Sequence, residues 1–368
     1  MAVWGSMKVA LLSDCYPPRL GGIEVQVHGL ARALVRGGHA VEVFTITPGQ
    51  VPDDGFPVHR LGLHHELPGG LLVNPRARAA LRKTLQHSDF DVVHAHLGVV
   101  SPFAMDGVVV ALGAGLPVAA TWHSVTGRSE PIVRALGYTG RWARQGVALS
   151  AVSRVAATPL ERVAGAEVSI VPNGIDNSFW CAGDERALRG NGTHVVSAMR
   201  LAARKRPQQL VDMVQRARAM AGQDIRLTIA GDGPLHRRLD TRRPPWCQLP
   251  GRLSPTALRD LYRSADVYAA PAVLEAFGIA AAEARSCGLP VVTRAESAVA
   301  DLVEHERTGL VVADDREFAS ALARMASDPA LRERLSSYGR SVAPAFGWDD
   351  VLATVIGEYD RARRSARH

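Results

Sequence analysis

The feature that most constrains this chain is an alternation, run through twice, of short apolar stretches and helix-length amphipathic segments. Residues 8–13 (Lys-Val-Ala-Leu-Leu-Ser) are such a stretch, a loop rich in Pro and Gly follows over 16–22, and 23–36 has helical spacing. The pattern recurs at 40–46, 91–95, 118–122, 147–152 and 168–171. Strands alternating with helices predict a parallel sheet covered on both faces. Periodicity fails over 176–193, where Gly183, Gly190 and Gly192 sit among charged residues, which places a linker there. It then restarts, with strands expected at 194–198, 226–230, 247–250, 267–270, 290–293 and 309–312. Ser254-Pro255 reads as an N-cap followed by proline at the first helical position, opening a helix over 256–264. The fold class is therefore α/β, with two Rossmann-like doubly wound domains over 7–177 and 178–347. A last helix over 348–364, with Val351, Val355 and Tyr359 at helical spacing, is expected to pack back on the first domain. A length of 368 residues agrees, being more than one hydrophobic core usually spans. Ligands of such folds bind at the carboxyl ends of the strands, so the expected site is a cleft between two such edges.

Composition removes several classes. With 47% hydrophobic and 21% charged residues the chain is neither disordered nor fibrous. The longest nearly uncharged run, 107–122, is too short to span a membrane and is broken by Gly113, Gly115 and Pro117. Residues 1–6 are not basic enough, nor followed by enough apolar sequence, for a secretory signal, and Met7 is the expected start. Cys15, Cys181, Cys247 and Cys287 are scattered without CxxC spacing, which fits a reducing cytoplasm and gives them no metal role. A formal charge of +7 favours anionic partners, whether nucleotide diphosphates, acidic lipid or nucleic acid, without choosing among them. Gly231-Asp-Gly233-Pro-Leu-His lacks the last glycine of G-x-G-x-x-G, and no G-x-x-x-x-G-K-[ST] occurs, so dinucleotide and P-loop chemistry are not expected.

The segment richest in chemistry is Glu275-Ala-Phe-Gly-Ile-Ala-Ala-Ala-Glu283. A strand leads into a loop bearing Glu275, and Gly278 opens a helix of small residues whose first amides suit a phosphate. Glu283 lies one to two turns deeper on an otherwise apolar stretch, where a carboxylate needs a partner, and ribose hydroxyls are good candidates. The plain alternative is an acid favouring the helix dipole and a surface glutamate.

At this point the chain resembles the retaining glycosyltransferases with two Rossmann-like domains, the GT-B group, and in particular glycosyltransferase family 4. Glu275 and Glu283, with seven residues between them, match the family's E-x7-E motif. Gly21-Gly22-Ile-Glu24, Asp91-Val-Val-His-Ala-His96, Thr121-Trp-His123, Val171-Pro-Asn-Gly-Ile-Asp176, Arg200 with Lys205, Ala230-Gly-Asp-Gly-Pro234 and Gly251-Arg-Leu253 agree in order. The resemblance implies that Glu275 contacts the donor sugar and Glu283 the ribose, and that Arg200 and Lys205 bind the diphosphate. It implies His123, at the carboxyl end of an expected strand, against the donor sugar, the plain alternative being a structural histidine. Gly22 follows the first strand, where a turn without a side chain lets the donor phosphate approach, a plain tight turn being the alternative. Gly231, Arg252, Leu253, Phe277, Gly278 and Ile279 complete the implied donor set, the base being held largely by backbone around 231–234 and 252–254. The sequence reads Arg200-Leu-Ala-Ala-Arg204-Lys205-Arg206-Pro207, so three basic residues compete for one role, and spacing favours Lys205. His94 and His96, also near a strand end, are weaker candidates. Asp89-Phe-Asp91 resembles the DxD metal motif of the other major glycosyltransferase fold, but it precedes its strand and belongs at the edge away from ligands.

The expected function is retaining, metal-independent transfer of a hexose from a nucleotide-diphosphate sugar to an acceptor hydroxyl, with no cofactor and no nucleic acid partner. An epimerase or phosphorylase on the same fold, or a non-catalytic nucleotide or polyanion binder, are the alternatives. Acceptor contacts are expected from loops 64–74 and 124–131. At about 100° per residue, the helix over 76–86 sets Ala77, Ala80, Leu81, Thr84 and Leu85 on one side and Arg76, Arg78, Arg82 and Lys83 on the other. The family's phosphatidylinositol mannosyltransferases carry such a helix at a membrane surface, which adds weak contact with the inner membrane face to the expectations for a cytoplasmic enzyme.

Overall fold

The computed structural model describes residues 5–50, 55–61, 65–67, 71–127, 130–183, 192–342 and 344–367. The chain divides into two compact units, Met1–Gly174 with Phe346–His368, and Ile175–Ala345. The division falls after Gly174 rather than after 177. Gly174 is tied to the first unit, since Gln26 Nε2 donates to its carbonyl at 2.9 Å and its N–H donates to Gln26 Oε1 at 2.8 Å. Asp176 instead organises the next turn, accepting from the Ser178 and Phe179 amides. Part of the expected linker, residues 184–191, lies outside the described residues, as do parts of both expected acceptor loops.

In the first unit the strands are β1 (Lys8–Ser13), β2 (Ala40–Thr45), β3 (Val58–Arg60), β4 (His65–Leu67), β5 (Leu71–Val73), β6 (Val92–Leu97), β7 (Val118–Trp122), β8 (Ala148–Ala151) and β9 (Ser169–Ile170). Seven form an all-parallel sheet in the order β3-β2-β1-β6-β7-β8-β9, while β4 and β5 make an antiparallel pair. The central strands are buried on both faces, because helices cover both sides of such a sheet. One layer is completed by the last helix, Trp348–Ser365, whose Val351, Val355, Ile356 and Tyr359 join the core built on Val9, Leu11, Val27 and Leu34. Its Trp348 indole fits where Gly29 and Gly174 carry no side chain, since a Cβ on either would stand 2.2 or 2.4 Å from the ring.

The second unit holds β10 (Thr193–Ala198), β11 (Ile225–Ala230), β12 (Cys247–Gln248), β13 (Val267–Ala270), β14 (Val291–Arg294) and β15 (Gly309–Val312). They form a parallel sheet in the order β12-β11-β10-β13-β14-β15. Its core joins Val195, Leu227, Ile229 and Val267 to Leu210 and Val214 of the Pro207–Ala221 helix, and to Phe318 and Leu322 of the Asp315–Ser327 helix. Ser254 caps the Pro255–Ser264 helix, its hydroxyl accepting from the Ala257 amide at 3.2 Å. In both sheets the strand order reverses once, between β1 and β6 and between β10 and β13, and ligands of doubly wound folds bind at the carboxyl ends beside that switch point.

Candidate active site

In the second unit the switch point lies between β10 and β13, and four of the expected residues follow those two strands. The chain leaving β10 carries Arg200 and then Lys205, in the short 3₁₀ turn Ala203–Lys205. The chain leaving β13 carries Glu275 and Gly278, the latter capping the Ile279–Ser286 helix. Lys205 Nζ and a Glu275 carboxylate oxygen form an ion pair, so two of the sequence-predicted residues meet directly. Arg200 is exposed and makes no ion pair among the described residues. Of the competing cations, Arg206 is taken by Asp315 and Arg204 is exposed. Gly278 adopts φ 90°, the left-handed region, and a Cβ there would stand 2.4 Å from Val299 Cγ2. Glycine is thus required twice over, by backbone conformation and by space.

Glu283 lies in the Ile279–Ser286 helix, partly exposed, with no hydrogen bond or ion pair among the described residues. Desolvation pushes its carboxyl up to about 8. Tyr262 stands nearby, its hydroxyl buried and, among the described residues, without a hydrogen-bond partner. An uncompensated carboxyl in such surroundings is costly unless a ligand supplies donors. Phe277 is buried and Ile279 partly so. Gly231 and Gly251 come next to each other at the ends of β11 and β12, the Gly231 amide donating to the Gly251 carbonyl at 2.7 Å. Arg252 is exposed and Leu253 half-buried beside them.

In the first unit Gly22 is the first residue of the Gly22–Arg36 helix, after β1. His123 follows β7, at the carboxyl edge, with both ring nitrogens engaged. Nδ1 lies 3.1 Å from Asn173 Oδ1, and Nε2 lies 3.0 Å from His96 Nδ1. With the Asn173 oxygen as acceptor, His123 carries its proton on Nδ1, its Nε2 accepts from His96, and His96 Nε2 is left as a lone pair. That atom is buried and, among the described residues, has no hydrogen-bond partner, beside a cavity of about 20 Å³ lined by residues that include His94, Thr121, Asn173 and Trp348. His94 is a core residue, bonded to the Tyr359 hydroxyl at 3.0 Å and to Thr121 Oγ1 at 2.7 Å. Burial holds all three imidazoles neutral, lowering His123 to about 4, His94 to about 3 and His96 well below its ordinary value. Asn173, within the Val171-Pro-Asn-Gly-Ile-Asp176 stretch, joins the site without being singled out by the motifs; its one signal in the sequence is a polar residue just after a strand.

Two other expectations are settled by position. Asp89 and Asp91 stand at the amino end of β6, where Asp91 accepts from the Lys8 amide at 2.8 Å and Asp89 pairs with Lys8 Nζ at 2.5 Å. They tie two strand starts together, away from the ligand edge. In the Ala77–Leu85 helix only Ala77, Leu81 and Leu85 are buried, and Ala80 and Thr84 are exposed, which corrects the wider face expected from the sequence. The buried set is one narrow i, i+4, i+8 stripe, Leu81 reaching the Pro102–Gly113 helix near Gly107. Arg78 is paired with Asp106 at 3.3 Å, which removes one cation from the basic face. Among the described residues no helix is long and apolar enough to cross a membrane.

Two parallel α/β units with this topology match the GT-B fold of solved glycosyltransferases. The chain matches the family models described as Glycosyltransferase Family 4, over residues 20–179, and Glycosyl transferases group 1, over residues 184–342. It is 30% identical to the D-inositol 3-phosphate glycosyltransferase of Xylanimonas cellulosilytica, with 94% of each chain covered. It is 28% identical to that of Pseudarthrobacter chlorophenolicus, over 93% of this chain and 90% of the relative. Among solved structures it resembles HepE of Anabaena in complex with UDP and glucose, with a TM-score of 0.75, 19% identity, and 95% and 98% of the two chains covered. WaaG, a glycosyltransferase involved in lipopolysaccharide biosynthesis, gives a TM-score of 0.70 at 18% identity, with 95% and 100% covered. The chain belongs to the group 1 glycosyltransferases of family 4.

Proposed function

We propose that this glycosyltransferase moves a hexose from a nucleoside-diphosphate donor to an acceptor hydroxyl, with retention of anomeric configuration and without a metal ion or other cofactor. The observation that carries the reading is the meeting of Lys205, Glu275 and the Gly278 helix start beside the switch point of the second sheet. Lys205, Arg200 and the first amides of the Ile279–Ser286 helix are suited to a diphosphate, because they offer fixed positive charge where negative charge grows as the bond breaks. Glu275 then accepts from sugar hydroxyls and Glu283 from the ribose. Backbone around Gly231, with Arg252 and Leu253, holds the base, and Phe277 and Ile279 shape the approach to Gly278.

In front-face displacement the acceptor oxygen bonds to the anomeric carbon on the face that the phosphate leaves. The bond from that carbon to the phosphate oxygen breaks, and the departing oxygen takes the acceptor's proton. Side chains contribute position and charge stabilisation rather than a covalent intermediate. The solved neighbours with UDP and UDP-glucose support a nucleotide-sugar donor, and the relatives' inositol phosphate substrate supports a sugar or polyol acceptor. This favours transfer over epimerisation or phosphorolysis.

Lys205→Ala at pH 7, and Glu283→Ala at pH 9 where its carboxyl is ionised, should each weaken binding of the correct nucleoside diphosphate by about 1.5–3 kcal/mol, the worth of a charged hydrogen bond. Titration calorimetry over UDP, GDP and ADP measures it. Unchanged affinity in both variants would remove this assignment of the site.

A further inference from the structure

We propose that Arg206 and Asp315 form a clamp that positions Lys205, and with it the Glu275 loop, for the donor diphosphate. The inference rests on the reading of Lys205 as a diphosphate cation and adds residues that do not themselves touch the ligand. Arg206 joins the Ala203–Lys205 turn to the Pro207–Ala221 helix with φ 61° and ψ 42°, in the left-handed region. An L-residue pays about 1 kcal/mol for this conformation, and glycine adopts it freely. A side chain kept at such a position needs contacts that offset the cost.

Arg206 has three such contacts. Its Nη1 and Nη2 face the two oxygens of Asp315 at 3.0 and 2.5 Å, a bidentate fork, and Nη1 also donates to the Pro271 carbonyl at 3.2 Å. Pro271 is the first residue after β13 and starts the loop that presents Glu275. Asp315 opens the Asp315–Ser327 helix after β15, and it also accepts from Arg294 Nη1 at 2.5 Å, from the end of β14. The Arg206–Asp315 pair thus ties together the segments that follow β10, β13 and β15 and the end of β14. The residue before Arg206 is Lys205, already paired with Glu275. The hydrogen bond from Arg206, and the two guanidinium charges, hold the Asp315 carboxyl below its usual range, so the clamp stays charged at neutral pH. Lysine has a long flexible stem, so the ammonium can be aimed only as well as its backbone is held. The clamp supplies that hold.

Glycine at position 206 keeps the backbone conformation and removes the clamp, which makes Arg206→Gly the decisive variant. The probe is whichever of UDP, GDP and ADP binds the wild type most tightly, titrated by calorimetry into wild type, Arg206→Gly, Lys205→Ala and the double variant. Arg206→Gly should bind on the order of tenfold more weakly, as expected when one charge-assisted contact loses its geometry. The double variant should be no weaker than Lys205→Ala alone, because the clamp acts through that lysine. Asp315→Asn, which keeps side-chain shape but removes the charge, should match Arg206→Gly. Wild-type affinity in Arg206→Gly and Asp315→Asn, with Lys205→Ala weakened, overturns the clamp and leaves the diphosphate reading intact. Additive losses in the double variant also overturn it, since Arg206 would then act independently of Lys205. Unchanged binding in Lys205→Ala overturns both.

Discussion

If Glu283 takes the ribose hydroxyls as a carboxylate, it must give up a proton to do so, because burial pushes its carboxyl up to about 8. At pH 7 only about one molecule in ten would then carry the charge, leaving affinity about tenfold, or ~1.4 kcal/mol, below its limit. Nucleoside diphosphate binding should therefore tighten about tenfold between pH 7 and pH 9 and release close to one proton at pH 7. The terminal phosphate of the ligand, with a pKa of about 6, contributes little in this window. Calorimetry in buffers of different ionisation enthalpy reads both quantities, and Glu283→Gln should remove the pH dependence. Folding stability follows the opposite course. As pH rises from about 4.5 to about 8 the unfolded chain ionises Glu283 while the folded protein keeps it protonated, so stability falls over that window, and Glu283→Gln should flatten the fall. Affinity that does not change from pH 7 to 9, with no proton released, would refute the carboxylate reading.

Two further outcomes follow from the geometry. His94, His96 and His123 have folded pKa values below the unfolded one, so stability is full above about 6.5 and is lost as pH falls towards about 4 and about 3, at a cost by pH 5 of about 2 kcal/mol for each imidazole kept neutral. Thermal unfolding between pH 7 and 4.5 measures it, and an unchanged midpoint would contradict the burial argument. Gly278→Ala should lower both thermal stability and nucleoside diphosphate affinity, since the new Cβ would meet Val299 at a residue with φ 90°; wild-type behaviour in both assays would show that the helix start does not need its glycine.

Much of the architecture is legible in the sequence because the central strands β1, β6, β7, β10 and β13 are apolar runs covered on both sides. The strand β3 and the pair β4 and β5 escaped that reading, being three residues each and, for β3, carrying His59 and Arg60 at the sheet edge. Glu275, Gly278 and Glu283 could be placed because one loop and one helix hold them all. The histidine chain could not, because it depends on the register that sets His96 of β6 beside Thr121 of β7, one strand away from His123. Arg206 and Asp315 are 109 positions apart, and only the order of the sheet brings them together. On the Ala77–Leu85 helix, angular position alone could not tell how narrow the buried stripe would be, since its neighbouring helix decides that.

The central claim, retaining transfer with the diphosphate charge offset by side chains and helix amides, is tested most directly by the anomeric configuration of the product. The enzyme is incubated with a nucleotide sugar and an acceptor polyol in excess EDTA, and the first product is followed by proton NMR from the anomeric coupling. Undiminished turnover giving the donor's own configuration is the predicted result. An inverted product, or activity that EDTA abolishes and a divalent ion restores, would contradict it.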